Sequence, residues 1–266
     1  MYVKGAALAT CLSNVIASCY LFCFILKKKN NSVLSLSLKY LILKKNVSVP
    51  ILSIGIPSAL QTFLAVVSNA VLNNLMSAYT AAAVAAVGIV KKADMFPTYI
   101  VQGLTNDVLP LMAYNYASGN RHRMNRTIRF SLVVSLIFTV FCLTCYELLA
   151  PQVVRIFIDD KTTIRYGASF MRLHCMTMPF LSVTFLLTAL FQAAEQTRQA
   201  VILSLFRKGI INIPLMVIMN RILPTLGIMT VQPFLDFLCA VLAFIMYLSF
   251  TKRLQQQNRK HSIIKK

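Results

Sequence analysis

Acidic residues are scarce in this chain. It has 7 Asp+Glu against 27 Lys+Arg among 266 residues, and only 13% of positions are charged. A soluble domain of this length carries about a quarter charged residues, so a water-exposed globule is excluded. Tryptophan is absent and glycine occurs only 8 times. No Gly-rich phosphate loop, Ser/His/Asp set or metal-ligand cluster is visible. That removes the enzyme classes that depend on them, and no ATP-binding segment is present to drive work. The 7 cysteines fall mostly within apolar runs, which argues against a disulfide framework. Cys142 and Cys145 have redox-motif spacing, but they lie in an apolar helix with no second pair.

What the chain does have is oil. Hydrophobic residues make up 58% of it. Apolar runs cover 6–26, 50–78, 80–113, 127–150, 166–190, 200–223 and 228–250. Water cannot satisfy backbone N–H and C=O groups inside a bilayer, so runs of about twenty residues become spanning helices. The expected fold class is therefore all-α, a polytopic membrane protein with seven transmembrane helices. The third run is about 50 Å long at 1.5 Å per residue, against a hydrocarbon core of about 30 Å. It must tilt, protrude or bend, and Pro97 offers a place to bend.

The net charge is +20, but the basic residues avoid the apolar runs and collect in alternate links between them. That is a membrane-topology pattern, not a basic groove for nucleic acid. Lys27, Lys28, Lys29, Lys39, Lys44 and Lys45 lie in the first link. Arg121, Arg123, Arg126 and Arg129 follow the third run, and Arg198, Arg207 and Lys208 follow the fifth. Lys252, Arg253, Arg259, Lys260, Lys265 and Lys266 form the tail. Basic loops stay in the cytoplasm, so the C-terminus is expected there, with the helices in the cell membrane. The basic, partly apolar segment 27–49 separates one lone helix (1–26) from a group of six (50–250), and 251–266 is a basic tail. Anionic lipid attracts such segments.

Polar residues inside oily helices are where function should lie. In the second run Ser58, Gln61, Ser68, Asn69 and Asn73 fall within an arc of roughly 140°. In the third, Lys91, Asp94, Thr98, Gln102 and Thr105 share one face, and Lys91 and Asp94 are close enough in sequence to pair. In the seventh, Gln232 and Asp236 are four apart on one face with Pro233 between them. A carboxylate beside a proline-broken helix suits a proton or cation site. His174 is a further titratable group, though a lone His is more often structural. An intramembrane charge costs at least about 2.5 kcal/mol at the helix centre, so each of these charges needs a partner, water or a function.

The order of several short motifs points to a family. Ile54-Gly55-Ile56-Pro57-Ser58-Ala59-Leu60-Gln61, Gly103 through Pro110 to Tyr114-Asn115-Tyr116-Ala117, and Phe157-Ile158-Asp159-Asp160 occur in turn. Gln192-Ala193, then Arg207 with Ile213-Pro214-Leu215, then Leu226-Gly227 with Gln232-Pro233 and Asp236 follow. Taken together, this collinear series resembles the second half of multidrug and toxic-compound extrusion (MATE) transporters. The resemblance implies twelve helices in two six-helix lobes that rock around a central cavity, exporting organic cations and drugs by antiport with H+ or Na+. It implies no cofactor beyond the coupling ion. This chain would supply the sixth helix, the cytoplasmic linker and the second lobe. Departures include Leu109 and Asp107 in the Pro110 motif and Glu195 where a glycine is usual. The expected partners are membrane lipid, an organic cation or drug, and either a missing N-terminal lobe or a second copy. The expected pathway residues are Gln61, Asn69, Asn73, Lys91, Asp94, Thr98, Gln102, Gln232 and Asp236. A lipid-linked saccharide flippase has the same helix layout and is the alternative transport reading, resting here mainly on Lys91 and Lys92. An inactive truncated fragment is the non-transport reading.

Overall fold

The computed structural model describes residues 2–27, 45–207 and 211–264. Among these, every regular element is a helix. They are α1 (Tyr2–Lys27), α2 (Lys45–Ser77), α3 (Ala81–Ala117), α4 (Arg121–Phe157), α5 (Lys161–Cys175), α6 (Met178–Ala193), α7 (Thr197–Leu205), α8 (Asn212–Ile222) and α9 (Leu226–Ile264). The expected linker falls largely on 28–44, outside the described residues. The chain divides into two compact units, Met1–Ser53 and Ile54–Lys266. The first holds α1, whose apolar window is 0% buried. The second holds the lobe described below.

Among the described residues three helices are long and apolar enough to cross a membrane. They are Ala7–Lys27 within α1, Arg121–Phe157 (α4) and Leu226–Lys252 within α9. The pair α5 and α6, bent by 42°, makes a fourth if counted as one span. Each of the seven apolar runs coincides with a helix or a helix pair. The 200–223 run is divided between α7 and α8, and α3 carries Lys91, Lys92, Asp94 and Asp107 within its apolar run. The length and composition criterion therefore supports fewer crossings than the seven expected.

The helix faces are inverted relative to a soluble bundle. On α4, Phe130, Ile137, Phe141 and Leu148 are 64–71% exposed, while Ser131, Ser135, Thr139 and Cys142 are buried. The buried set recurs at helical spacing, and Ser182 of α6 donates across the interface to Thr139 at 3.1 Å. Lipid is as apolar as leucine, so such helices associate through small and weakly polar residues that allow close approach. Gly167 shows how close: a Cβ placed there would lie 2.8 Å from Val154 Cγ1.

Prolines within the spans remove backbone donors, and neighbouring helices replace them. Pro97 cannot donate to the Ala93 carbonyl, and Tyr146 Oη of α4 does so instead at 2.9 Å. Pro151 likewise frees the Glu147 carbonyl, which accepts from Arg172 Nε at 3.2 Å. With that help α3 runs as one helix through Pro97. Links are closed by short caps. Thr80 and Asn120 accept from the backbone at Ala83 and Arg123. Asp160 accepts from both the backbone N–H and the hydroxyl of Thr163. That carboxyl is held below the usual carboxylate range, chiefly by the Thr163 hydroxyl and then by its N–H.

Two apolar cores divide the lobe by height. One gathers Met76, Val87, Val154, Phe170, Met216 and Leu235, toward the links at 78–80, 158–160 and 223–225. The other gathers Met112, Met124, Leu190, Leu203 and Phe250, toward the links at 118–120 and 194–196. The polar residues of the spans lie between these cores.

Candidate functional site

A cavity of about 580 Å³ opens at mid-height, walled by α2, α3, the α5–α6 bend, the end of α7, the start of α8 and α9. Of the nine residues expected on the pathway, seven line it: Asn69, Lys91, Asp94, Thr98, Gln102, Gln232 and Asp236. Met95, Tyr99, Phe185 and Met229 supply apolar and aromatic wall between them. Gln61 belongs to α2, but its side chain lies outside the described residues. Asn73 is exposed and does not line the cavity. The α2 stripe that does line it is Thr62, Ala65, Ser68, Asn69 and Leu72, and Asn73 falls about 80° from its centre, beyond its edge. The expected five-residue face was broad enough to take in a position that the cavity wall leaves out.

The local folding explains how the charges arrive here. The α5–α6 bend sits at Met176–Thr177. It presents His174 from the last turn of α5, where the helix dipole favours a cation, and Thr177 just beyond. The sixth apolar run is divided into two helices. α7 ends in a π turn at Phe206–Arg207, and α8 begins at Asn212. Discontinuous helices put polar backbone and side chains at membrane depth only where they line a cavity, and Arg207 and Asn212 both line this one.

The two acids have different surroundings. Asp236 is 0% exposed, and its carboxylate is fully engaged. Oδ1 accepts from Arg207 Nε at 2.5 Å. Oδ2 accepts from Gln232 Nε2 at 3.1 Å and from the Thr177 hydroxyl. The Arg207 guanidinium also lies 4.9 Å from the Phe185 ring centroid. Asp94 is less committed. Its Oδ2 lies 3.4 Å from His174 Nε2 and accepts from Thr98 at 3.4 Å. Its Oδ1 is buried with no hydrogen-bond partner in the protein.

Two readings need correction. Lys91 and Asp94 are close enough in sequence to pair, but the contacts of Asp94 run to His174 on α5 and to Thr98. Lys91 Nζ reaches back to Asn69 Oδ1 on α2. The cross-helix partner wins because packing of α5 on α3 brings His174 to the acid. Arg207 was counted with the cytoplasmic basic residues, but it is buried in an ion pair. Its neighbours Leu203, Leu205, Phe206 and Ile211 are apolar, but Ser204 and the adjacent Lys208 interrupt them, so the sequence carried little signal of burial. His174 was read as more often structural, and it stands in the cavity wall. Thr177 and Asn212 carry no sequence signal that marks them.

An all-helical lobe with lipid-type exterior faces and a charged mid-height cavity defines a polytopic membrane protein of the transporter class. The MatE family model matches residues 57–218, and the chain belongs to that family. Among curated relatives, the multidrug export protein MepA of Staphylococcus haemolyticus is 32% identical over 95% of this chain and 55% of its own length. MepA of Staphylococcus saprophyticus is 29% identical over 95% of this chain and 55% of its own length. The chain thus spans about half the length of the curated relatives it matches. Among solved structures, a MATE in complex with MaL6 superposes with TM-score 0.79 at 19% identity, over 95% of this chain and 57% of that one. An outward-facing multidrug resistance MATE transporter of the MOP superfamily gives 0.78 at 19% identity, over 95% and 57%. Members of this family are transporters, not enzymes.

Proposed function

We propose that this chain forms the C-terminal half of a secondary transporter that expels drugs and organic cations in exchange for H+ or Na+. Asp94 is the site where the coupling ion and the substrate compete. The observation that carries this reading is the buried, unpartnered Oδ1 of Asp94, a residue that lines the cavity, with His174 on the other oxygen. A carboxylate with one bare oxygen can take up and release a proton or cation, and the His174 imidazole lies against its other oxygen. Asp236, with donors on both oxygens, holds the lobe together instead. The apolar and aromatic wall suits the body of a lipophilic cation.

The rest of the assignment follows the charge pattern. Residues 1–26 form the lone helix, 27–49 a cytoplasmic linker, 50–250 the six-helix lobe and 251–266 a cytoplasmic tail, with seven crossings of the cell membrane. One lobe cannot enclose a path between lobes, since alternating access requires two bodies moving about a site. The chain therefore works with a first lobe or a second copy of itself. The flippase reading is not favoured, because Arg207 is neutralised by Asp236 and Lys91 is directed at Asn69.

The test is dye efflux from proteoliposomes holding this chain alone, and this chain with a MatE-family first lobe, under an imposed pH or Na+ gradient. Gradient-driven efflux lost in Asp94→Asn but kept by a folded Asp236→Asn supports the reading. Efflux by Asp94→Asn that still follows the gradient would overturn it.

A further inference from the structure

Two oxygen atoms in the cavity wall have no partner in the protein, and both are acceptors. They are Asp94 Oδ1 on α3 and Asn212 Oδ1 at the start of α8. Both residues line the same cavity, and Asn212 is only 7% exposed. Buried acceptors without donors are rare in native proteins, and each one asks for an explanation. Several donors of the wall are committed elsewhere: Arg207 Nε, Thr177 and Gln232 serve Asp236, and Lys91 serves Asn69. Neither free oxygen takes a donor from the protein, and a ligand can supply one.

The donor set restricts what that ligand is. Among the described residues no group of three His, Cys, Asp or Glu could hold a metal, and both free atoms are hard oxygens, which disfavours soft metals. Asp94 contributes one negative charge. The other charged or titratable groups lining the cavity are Lys91 and Tyr99 on α3, His174 on α5, Arg207 after α7 and Asp236 on α9. Arg207 is neutralised by Asp236, and the single negative charge of Asp94 beside Lys91 is too little for a ligand with two positive charges. A quaternary ammonium has no N–H and cannot satisfy either oxygen. A primary or secondary ammonium, or Na+, can satisfy such oxygens.

We propose that Asn212 is a specificity-determining residue. With Asp94 it recognises a monovalent cation that offers donors or direct oxygen coordination, namely an organic ammonium group or Na+. Asp94 supplies the charge and Asn212 the direction. This rests on the reading of Asp94 as the exchange site and adds the ligand class and a second contact.

The test uses the full chain in lipid nanodiscs, in tetramethylammonium chloride at fixed pH, with binding followed by calorimetry. The probes are a primary arylalkyl ammonium, its N-trimethyl analogue and NaCl. A hydrogen bond to a charged group is worth about tenfold or more in affinity. Asn212→Ala should weaken the primary ammonium, Na+ or both by about that factor and leave the trimethyl analogue unchanged. Asn212→Asp keeps an acceptor at the same place and should bind at least as tightly as the native chain. Loss confined to Na+ identifies the coupling ion as the ligand, and loss confined to the primary ammonium identifies the substrate. The proposal is overturned if Asn212→Ala binds both probes as the native chain does, if Asn212→Asp loses as much as Asn212→Ala, if the loss extends to the trimethyl analogue, or if neither probe binds the native chain. If Asp94→Asn loses binding while Asn212→Ala does not, the role of Asp94 survives and that of Asn212 falls.

Discussion

The Arg207–Asp236 pair offers a prediction whose size can be worked out. Its side chains are 8% and 0% exposed, at 2.5 Å, in a lobe surrounded by lipid. Removing one partner of such a pair leaves an uncompensated buried charge and typically costs about 3–5 kcal/mol. At 1.36 kcal/mol per tenfold, that lowers the folded-to-unfolded ratio by roughly two to four orders of magnitude. Arg207→Ala strands an Asp236 that still has Thr177 and Gln232 as donors, so its cost should sit at the lower end. Asp236→Ala strands a guanidinium next to the Phe185 ring and should cost more. Replacing both partners with apolar residues of similar volume (Arg207→Met with Asp236→Leu) should recover most of the loss, because no buried charge then remains. The assay is thermal unfolding of the detergent-purified chain, read by the loss of the monodisperse peak. Single variants as stable as the native chain would refute the claim that this pair is structural. So would a double variant no better than the worse single one.

Three further outcomes follow from the packing. Tyr146→Phe removes the hydroxyl that donates to the Ala93 carbonyl freed by Pro97. It should cost about 1–3 kcal/mol, and adding Pro97→Ala, which restores the helical N–H, should return part of it; additive losses in a thermal-melt cycle would contradict this. Gly167→Ala drives a Cβ to 2.8 Å from Val154 Cγ1. It should cost about 1–3 kcal/mol by overpacking, and Val154→Ala should relieve it. Asp160 outside the membrane is ionised more readily when folded, because the Thr163 hydroxyl and N–H hold its charged form. Its capping of α5 should be fully present above the ordinary value of 3.8 and lost as pH falls through the lower folded value. Thr163 amide exchange should rise in that acid window, and Asp160→Asn, a cap that does not titrate, should abolish the dependence.

Much of the fold was legible because the bilayer imposes so strong a rule. Each apolar run became a helix or a helix pair, and Gln232 and Asp236 met as their four-residue spacing required. The face of α3 from Lys91 to Gln102 also turned up on one wall of the cavity. What periodicity on a single helix could not supply was partnership between helices. Asp94 and His174 are distant in sequence and meet only because α5 packs on α3. Arg207 looked like a link residue because basic residues near a helix end usually are. Its burial depends on a break inside an apolar run, which hydropathy averages away. Thr177 and Asn212 matter because of a bend and a helix start, and neither has a composition that announces it.

The most direct test is the binding of a fluorescent primary ammonium dye to this chain in nanodiscs, measured across pH with native and Asp94→Asn protein. Dye and proton contending for the same bare oxygen predict affinity that falls on acidification, proton release that rises toward one per dye bound as the free carboxyl becomes protonated, and weak, pH-independent binding in the variant. An Asp94→Asn protein that binds the dye as tightly as the native chain, with the same response to pH, would contradict the account.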